Sequence, residues 1–537
     1  MEKFINVLRQ PDFVLGAIET TDFRFEENGQ KECPVKYEYK VEKNSAKIII
    51  YPSGAPVKYL KIRFLGDNSF VEKVLGDQWE RCGLNAYIEW RSVMANRVLP
   101  WYCVLNGDYR TACYGVKTGA DCFAFWQVDT HGITLFLNLK SGEDGVDLVE
   151  PLVACEVVQR FSEKERDCYE VVQAFCGDMC DNPVVPKCPV FGVNNWYWAY
   201  GDITKESVLA ETDYLVKMCS GTKNAPFMII DDGWQLHRSP NGGYIGGPWT
   251  ANDRFGDMEK VAERIHSKGA KAGLWFRPLL TRGEVPKEAV FSEDCGGLIL
   301  DPTHPYTLNR IEKDAAVMRG WGFDLIKHDF TTMDVFGAGL SCEKHSFALC
   351  SKQRKFFDRT KTTATALKDV YRAVQRGAGN AEVIGCNVIG HLSAGIHSIQ
   401  RVGADNSGHS FEWTRRDGVN SMMRLPQNEK FFIIDPDCAA FTERVQAEAN
   451  LDFLEMCALT GVTTLASVKP EILTDSEMKR INGIFRLADE NVSRYKIKDY
   501  DKNANPEKFV DKATGKEKRF DFDKYFGGAR VVVDWEN

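Results

Sequence analysis

Five short segments end in ionisable residues, four of them in closely spaced pairs. FMIIDDGWQ carries Asp231 and Asp232, GLWFRP carries Arg277, FDLIKHDF carries Lys327 and Asp329, IQRVGAD carries Arg401 and Asp405, and FFIIDPD carries Asp435 and Asp437. Carboxylates gathered in this way support two chemistries. One is a metal site, with the carboxylates as hard oxygen ligands. The other is glycoside hydrolysis, which needs two carboxyl groups flanking the scissile bond and others to hold sugar hydroxyls. Histidine is scarce in these segments, and His328 alternates to the strand face opposite Asp329. The Lys and Arg residues would repel a bound cation, so the pattern favours glycoside hydrolysis.

Lys327 and Asp329 lie two residues apart and therefore share a strand face. An ammonium beside Asp329 keeps its carboxylate ionised, as a nucleophile requires, although a plain barrel salt bridge would have the same pattern. A general acid needs a raised pKa, which a close Arg opposes. Arg401 is therefore expected to touch the substrate or the Asp329 side. Asp329 is expected to raise the Asp405 carboxyl through like-charge repulsion; a helix cap is the other role open to Asp405. Asp231 and Asp232 suit a grip on two sugar hydroxyls, with Trp234 nearby, or an ordinary turn before Gly233.

These segments need a scaffold that brings strand ends together. From about residue 190 to 467, FGVNNWYW, PFMIIDD, KAGLWFRP, FDLIKHDF, EVIGCN, HSIQRVGA, FFIIDPD and GVTTLAS read as eight strands. Helical stretches such as KESVLAETDYLVKMC and DMEKVAERIHSKG separate the early ones. That alternation predicts an α/β fold, a closed (β/α)8 TIM barrel whose active site lies at the C-terminal strand ends. No glycine-rich phosphate turn follows the first strand, which counts against an open doubly wound sheet.

Residues 1–184 read as an N-terminal β-sandwich. VKYEYKVE, AKIIIYP, LKIRFLG, DCFAFWQVD and ITLFLNLK alternate with turn residues, and FSEKERDCYEVVQAFCGDMC reads as a helix. DNPVVPKCPV, with three prolines, marks the boundary to a catalytic barrel over 185–490. Residues 491–537 form a small C-terminal β appendage, with RVVVDW as its final strand. The charge run from Lys512 to Arg519 reads as a solvated loop.

A net charge of −8 with a pI near 5.8 argues against a nucleic-acid partner. No apolar run has the roughly 20 residues needed to cross a bilayer, and no signal peptide is visible. Seventeen cysteines without a CxxC pair read as free, mostly buried thiols of a cytoplasmic protein.

Taken in order along the chain, LGDQWERC, NNWYWAYGDIT, FMIIDDGWQ, GLWFRP, FDLIKHDF, IGCN followed by QRVGAD, and DPDC resemble glycoside hydrolase family 36, the α-galactosidases and α-N-acetylgalactosaminidases. The resemblance runs from about Leu75 to about Cys438. It implies an N-terminal β-supersandwich, a (β/α)8 barrel and a small C-terminal β-domain. It implies a retaining double displacement with Asp329 as nucleophile and Asp405 as acid/base. Asp231 and Asp232 match the pair that grips the galactose 4- and 6-hydroxyls, and Lys327 and Arg401 match substrate-contacting cations. Cys386 sits in the loop near the sugar 2-position, and Trp196 and Trp79 look like walls of the sugar pocket. No metal or organic cofactor is implied. The expected partner is an oligosaccharide or glycoconjugate substrate, with no membrane and no nucleic acid. The activity implied is hydrolysis of terminal α-galactosides; an α-N-acetylgalactosaminidase or related α-galactosaminide hydrolase, a raffinose-synthase-like transglycosylase and a non-catalytic sugar-binding barrel remain alternatives. Arg277 stands where many relatives carry an acidic or neutral residue. Neither its role nor that of Asp334 follows from the sequence.

Overall fold

The computed structural model describes residues 4–19, 33–81, 87–93, 97–108, 110–162, 167–236, 246–294, 296–337, 340, 354–490 and 494–526. The first part of the chain builds two antiparallel sheets. One has five strands, in the order Phe13–Ile18, Val57–Leu65, Gly132–Asn138, Phe123–Asp129 and Leu99–Pro100. The other has six, in the order Tyr37–Val41, Ala46–Ile50, Leu152–Ser162, Arg110–Val116, Tyr102–Gly107 and Lys73–Gly76. Period-two sequences make these strands. In Val57–Leu65 the residues Leu60, Ile62 and Phe64 are buried, while Lys61 and Arg63 between them are partly open. Rings meet between the sheets, Tyr114 against Trp126 at 6.2 Å and Tyr39 against Phe64 at 5.7 Å. The helix expected before residue 180 is Cys168–Met179, capped by the Asp167 side chain on the Tyr169 N–H.

The next part is a parallel sheet of nine strands. In spatial order these are Ile433–Asp435, Ile399–Arg401, Glu382–Gly385, Leu325–His328, Lys271–Phe276, Phe227–Ile230, Phe191–Asn194, Thr464–Val468 and Ala439–Phe441. All eight expected strands are present, and Ala439–Phe441 is an unanticipated ninth. The Thr463 N–H donates to the Ile434 carbonyl at 3.1 Å, which draws the 433–435 end of the row toward the 464–468 strand. The sheet is accordingly curled, TIM-barrel-like. Its strands are buried on both faces, as in Phe227–Ile230, because helices cover the outside. Those helices include Lys205–Met218, Met258–Ser267, Pro305–Gly320, Thr363–Ala378 and Ala447–Thr460. Lys205–Met218 starts in a capping box between Thr204 and Ser207, which satisfies two amides at its N-terminus.

Past the helix Asp475–Asp489, the strands Tyr495–Ile497, Lys508–Asp511 and Glu517–Arg519 form a three-stranded antiparallel sheet. The Lys512–Arg519 charge run is its last turn and strand, with Arg519 largely exposed and Lys518 paired to Glu455 at 2.6 Å. RVVVDW lies outside the described residues. Every cysteine among the described residues is free, and all but Cys33 and Cys188 are buried. Among the described residues no helix is long and apolar enough to cross a membrane.

Candidate active site

The C-terminal ends of the parallel strands gather most of the residues singled out in the sequence. Asp329 follows the strand Leu325–His328 and is 7% exposed. Its Oδ1 accepts the backbone N–H of Phe330 at 2.7 Å and of Asn387 at 3.2 Å, and its Oδ2 accepts the Trp275 indole N–H at 3.0 Å. These donors come from three strand ends and fix the carboxylate plane. The next residue, Phe330, is held in the left-handed region at φ 65°, a costly conformation for a non-glycine residue. Lys327 shares the face of Asp329 as expected, but its ammonium bonds Asp231 at 2.6 Å. Asp231 follows Phe227–Ile230, two places along the sheet, so the ammonium reaches past the intervening strand Lys271–Phe276. His328 turns to the other face and is fully buried against Tyr371 and His397.

Asp231 also accepts from the Asn194 side chain at 2.6 Å. Asp232 beside it accepts from Gln235. Burial, reinforced by the Asp231 and Asp329 charges, raises the Asp232 carboxyl to about 7 against the Gln235 hydrogen bond. Trp234 does not stand beside this pair. It is fully buried and donates to the Trp275 carbonyl at 2.9 Å.

Asp405 follows the strand Ile399–Arg401 after a bend at Gly403. A Cβ at Gly403 would come 2.5 Å from the Asp417 carbonyl, so the bend needs glycine. The Asp405 side chain is 54% exposed, the most open of the rim carboxylates described here. Its Oδ1 accepts from Arg81 Nη1 at 2.8 Å and Arg401 Nη2 at 3.0 Å. Desolvation would raise this carboxyl, but Arg81, Arg401 and Lys327 outweigh it and bring it to about 2. This overturns the expectation that Asp329 raises Asp405. Arg401 turns to Asp405 and to Asp437 and not to the Asp329 side, because Asp437, also hydrogen-bonded by Tyr197 Oη and the Asn406 N–H, anchors it from the neighbouring strand.

Cys386 links the two halves of the site. Its Sγ lies 3.7 Å from Arg401 Nη1 and 3.8 Å from Arg81 Nη1, and the amide of the next residue holds Asp329. Burial pushes this thiol well up. Trp196 is half-buried at the rim, edge-on to Tyr200 at 5.6 Å. Trp79 is not brought to the rim: it is 1% exposed and packs on Trp101, Phe123 and Phe125. The segment carrying it instead delivers Glu80 and Arg81. Glu80 accepts from Asn387 at 2.6 Å and lies 3.4 Å from Arg81. Sequence reasoning passed over Arg81, whose signal was its place inside LGDQWERC. Arg277 and Asp334, both unassigned from the sequence, bond each other in a buried bidentate pair, with the Arg277 guanidinium 4.4 Å from the Phe330 ring. Among the described residues no three His, Cys, Asp or Glu side chains are arranged to hold a metal ion.

The rim helix Trp196–Ala199 is tied down by Trp198, whose indole donates to Glu211 at 3.0 Å. Glu211 is fully buried, and desolvation pushes its carboxyl from the ordinary 4.5 to about 8. A carboxyl raised on folding contributes stability that is present below pH 4.5 and lost as pH rises through about 8. Glu211→Gln should therefore gain stability relative to the wild type at roughly 1.4 kcal/mol per pH unit within that window. Denaturant unfolding between pH 4.5 and 8 checks this; parallel stability curves would refute it.

The α-galactosidase TtGalA of Thermus thermophilus, solved with p-nitrophenyl α-D-galactopyranoside, superposes with a TM-score of 0.59 at 17% identity, over 90% of this chain and 95% of that one. The fold is that of the family 36 α-galactosidases. The Geobacillus stearothermophilus enzyme AgaA, of glycoside hydrolase family 36, gives a TM-score of 0.58 at 14% identity, covering 90% of this chain and 77% of that one. In sequence, α-galactosidase Mel36A of Lactobacillus acidophilus is 29% identical over 87 residues, which is 16% of this chain and only 11% of that protein. No family model matches the chain. The family 36 likeness thus rests on the arrangement of strands and helices far more than on continuous sequence identity.

Proposed function

We propose that the protein is a retaining α-galactosidase that cleaves terminal α-galactosides of oligosaccharides or glycoconjugates. The observation that carries this reading is the pairing of a rigid, buried carboxylate with an open one across a family 36 fold. Asp329 is held on both oxygens by amide and indole donors, and Asp405 faces the solvent side from a strand end two places along the sheet. We further assign the architecture as a β-sandwich over 1–184, a closed (β/α)8 barrel over 185–490 and a small β-domain over 491–537.

In the proposed cycle an Asp329 oxygen attacks the anomeric carbon as Asp405 gives a proton to the departing glycosidic oxygen. The bond from that carbon to Asp329 then breaks as water adds, its proton taken by Asp405. Asp231, oriented by Lys327 and Asn194, and Asp232 hold the sugar hydroxyls. Trp196 and Cys386 border the same pocket, and Arg401 keeps Asp405 in place. None of these steps uses a cofactor. Initial rates on aryl α-galactoside, α-N-acetylgalactosaminide, α-galactosaminide and α-glucoside test the reading. The galactoside should be turned over fastest, with α-galactose as the first product by NMR. Turnover confined to another glycone, or β-galactose as first product, would overturn it.

A further inference from the structure

We infer that Arg81 makes this site selective for glycosides whose leaving group carries a negative charge, an inference that rests on the glycosidase reading above. Charge balance around Asp405 sets this selectivity. Among the described residues, the groups facing that carboxylate are Arg81 from the segment after Lys73–Gly76, Arg401 and Lys327 from two barrel strands, Asp437 from the loop after Ile433–Asp435, Asp417 from the helical segment Thr414–Val419, and Tyr197 and Tyr200 from the rim helix and its end. Arg401 is committed. It is 1% exposed and also bonds Asp437, Tyr197 Oη at 3.4 Å and the Ala404 carbonyl at 3.2 Å. Lys327 is committed to Asp231.

Arg81 is the partner that can leave. It arrives from outside the barrel, and among the described residues its other side-chain contacts are longer, Glu80 at 3.4 Å and the Cys386 sulfur at 3.8 Å. Glu80 also accepts from Asn387 at 2.6 Å, and burial pushes its carboxyl up against the lowering effect of Arg81. Asp405 must be neutral to protonate a leaving oxygen, yet both guanidiniums hold it ionised. Protonating it with Arg81 still in place would strip a mostly buried guanidinium of its main counter-charge, a costly state.

A leaving group bearing a carboxylate, sulfate or phosphate removes the conflict. Arg81 transfers from Asp405 to that anion in a charge-assisted hydrogen bond. Asp405, open to solvent, takes a proton. It then gives that proton to the glycosidic oxygen as the bond from that oxygen to the anomeric carbon breaks and the bond to Asp329 forms. A neutral leaving group offers Arg81 only hydroxyls, which compete poorly with a carboxylate.

The test uses two phenyl α-galactosides matched in size and leaving-group pKa, one carrying a carboxylate and the other the carboxamide. Wild type, Arg81→Lys and Arg81→Gln are compared by kcat/KM across pH. Wild type should prefer the carboxylate by about tenfold or more. Arg81→Lys should keep part of that preference and Arg81→Gln none. On the carboxamide, the alkaline limb of the Arg81→Gln profile should move up, because Asp405 has lost a cation. Equal rates on both substrates in wild type, or a preference that survives Arg81→Gln, would overturn the inference. If wild type turns over neither compound, the galactosidase reading fails, and calorimetric binding of the same pair still decides the role of Arg81. Tighter carboxylate binding that Arg81→Gln abolishes supports it, and equal binding overturns it.

Discussion

Replacing Asp329 by Ala is expected to bring turnover of aryl α-galactosides to background, and azide is expected to restore it with inverted anomeric configuration. The side chain is small and buried, and its removal leaves a space lined by the Phe330 and Asn387 amides and the Trp275 indole. Those donors already favour an anion, so azide can enter and attack the anomeric carbon from the Asp329 side. With an activated aryl leaving group this single displacement from an α-galactoside yields the β-galactosyl azide. A residue that only bound substrate would behave differently: KM would rise, kcat would largely persist, and azide would change nothing. NMR of the azide product separates the two. An α-configured azide, or undiminished kcat in Asp329→Ala, would remove Asp329 from the role of nucleophile.

Breaking the Arg277–Asp334 pair is expected to produce the largest loss of stability. Both side chains are almost fully buried, at 3% and 0% exposure, and Arg277 spans both carboxylate oxygens. Deleting either partner removes the bidentate counter-charge of a buried ion, at a cost of about 3–5 kcal/mol. Arg277→Ala or Asp334→Ala should show this in denaturant unfolding. The double replacement Arg277→Met with Asp334→Leu should recover much of the loss, since a packed apolar pair of similar volume avoids the stranded charge. Single variants that unfold like the wild type would refute the argument. The pair also bears on the chemistry. Arg277 packs on Phe330, whose left-handed backbone immediately follows Asp329, so the apolar double variant should lose kcat more than it raises KM.

The strand ends were readable from the sequence because the signal is local. A period of two, an apolar run and a terminal carboxylate identify Asp231, Lys327, Asp329, Arg401 and Asp405 without any long-range information, and the parallel α/β pattern implies that such ends meet. The shared face of Lys327 and Asp329 and the outward turn of His328 follow from the same geometry. The pairing of charges did not follow. Lys327 bonds Asp231 and not Asp329, Arg401 is anchored by Asp437, and Arg277 finds Asp334, each on a different element of the chain. Arg81 lies 324 residues from Asp405, in a segment whose Trp79 was the more conspicuous residue. Trp79 went into an aromatic core, while the less conspicuous arginine reached the rim. Coulomb interactions depend on a few ångströms of separation and on exclusion of water, and both are properties of the assembled fold. The amino-acid order by itself determined which carboxylates meet at the rim. The tertiary structure alone decided which cation each one faces, and hence that Arg81 and Arg401 hold Asp405 ionised.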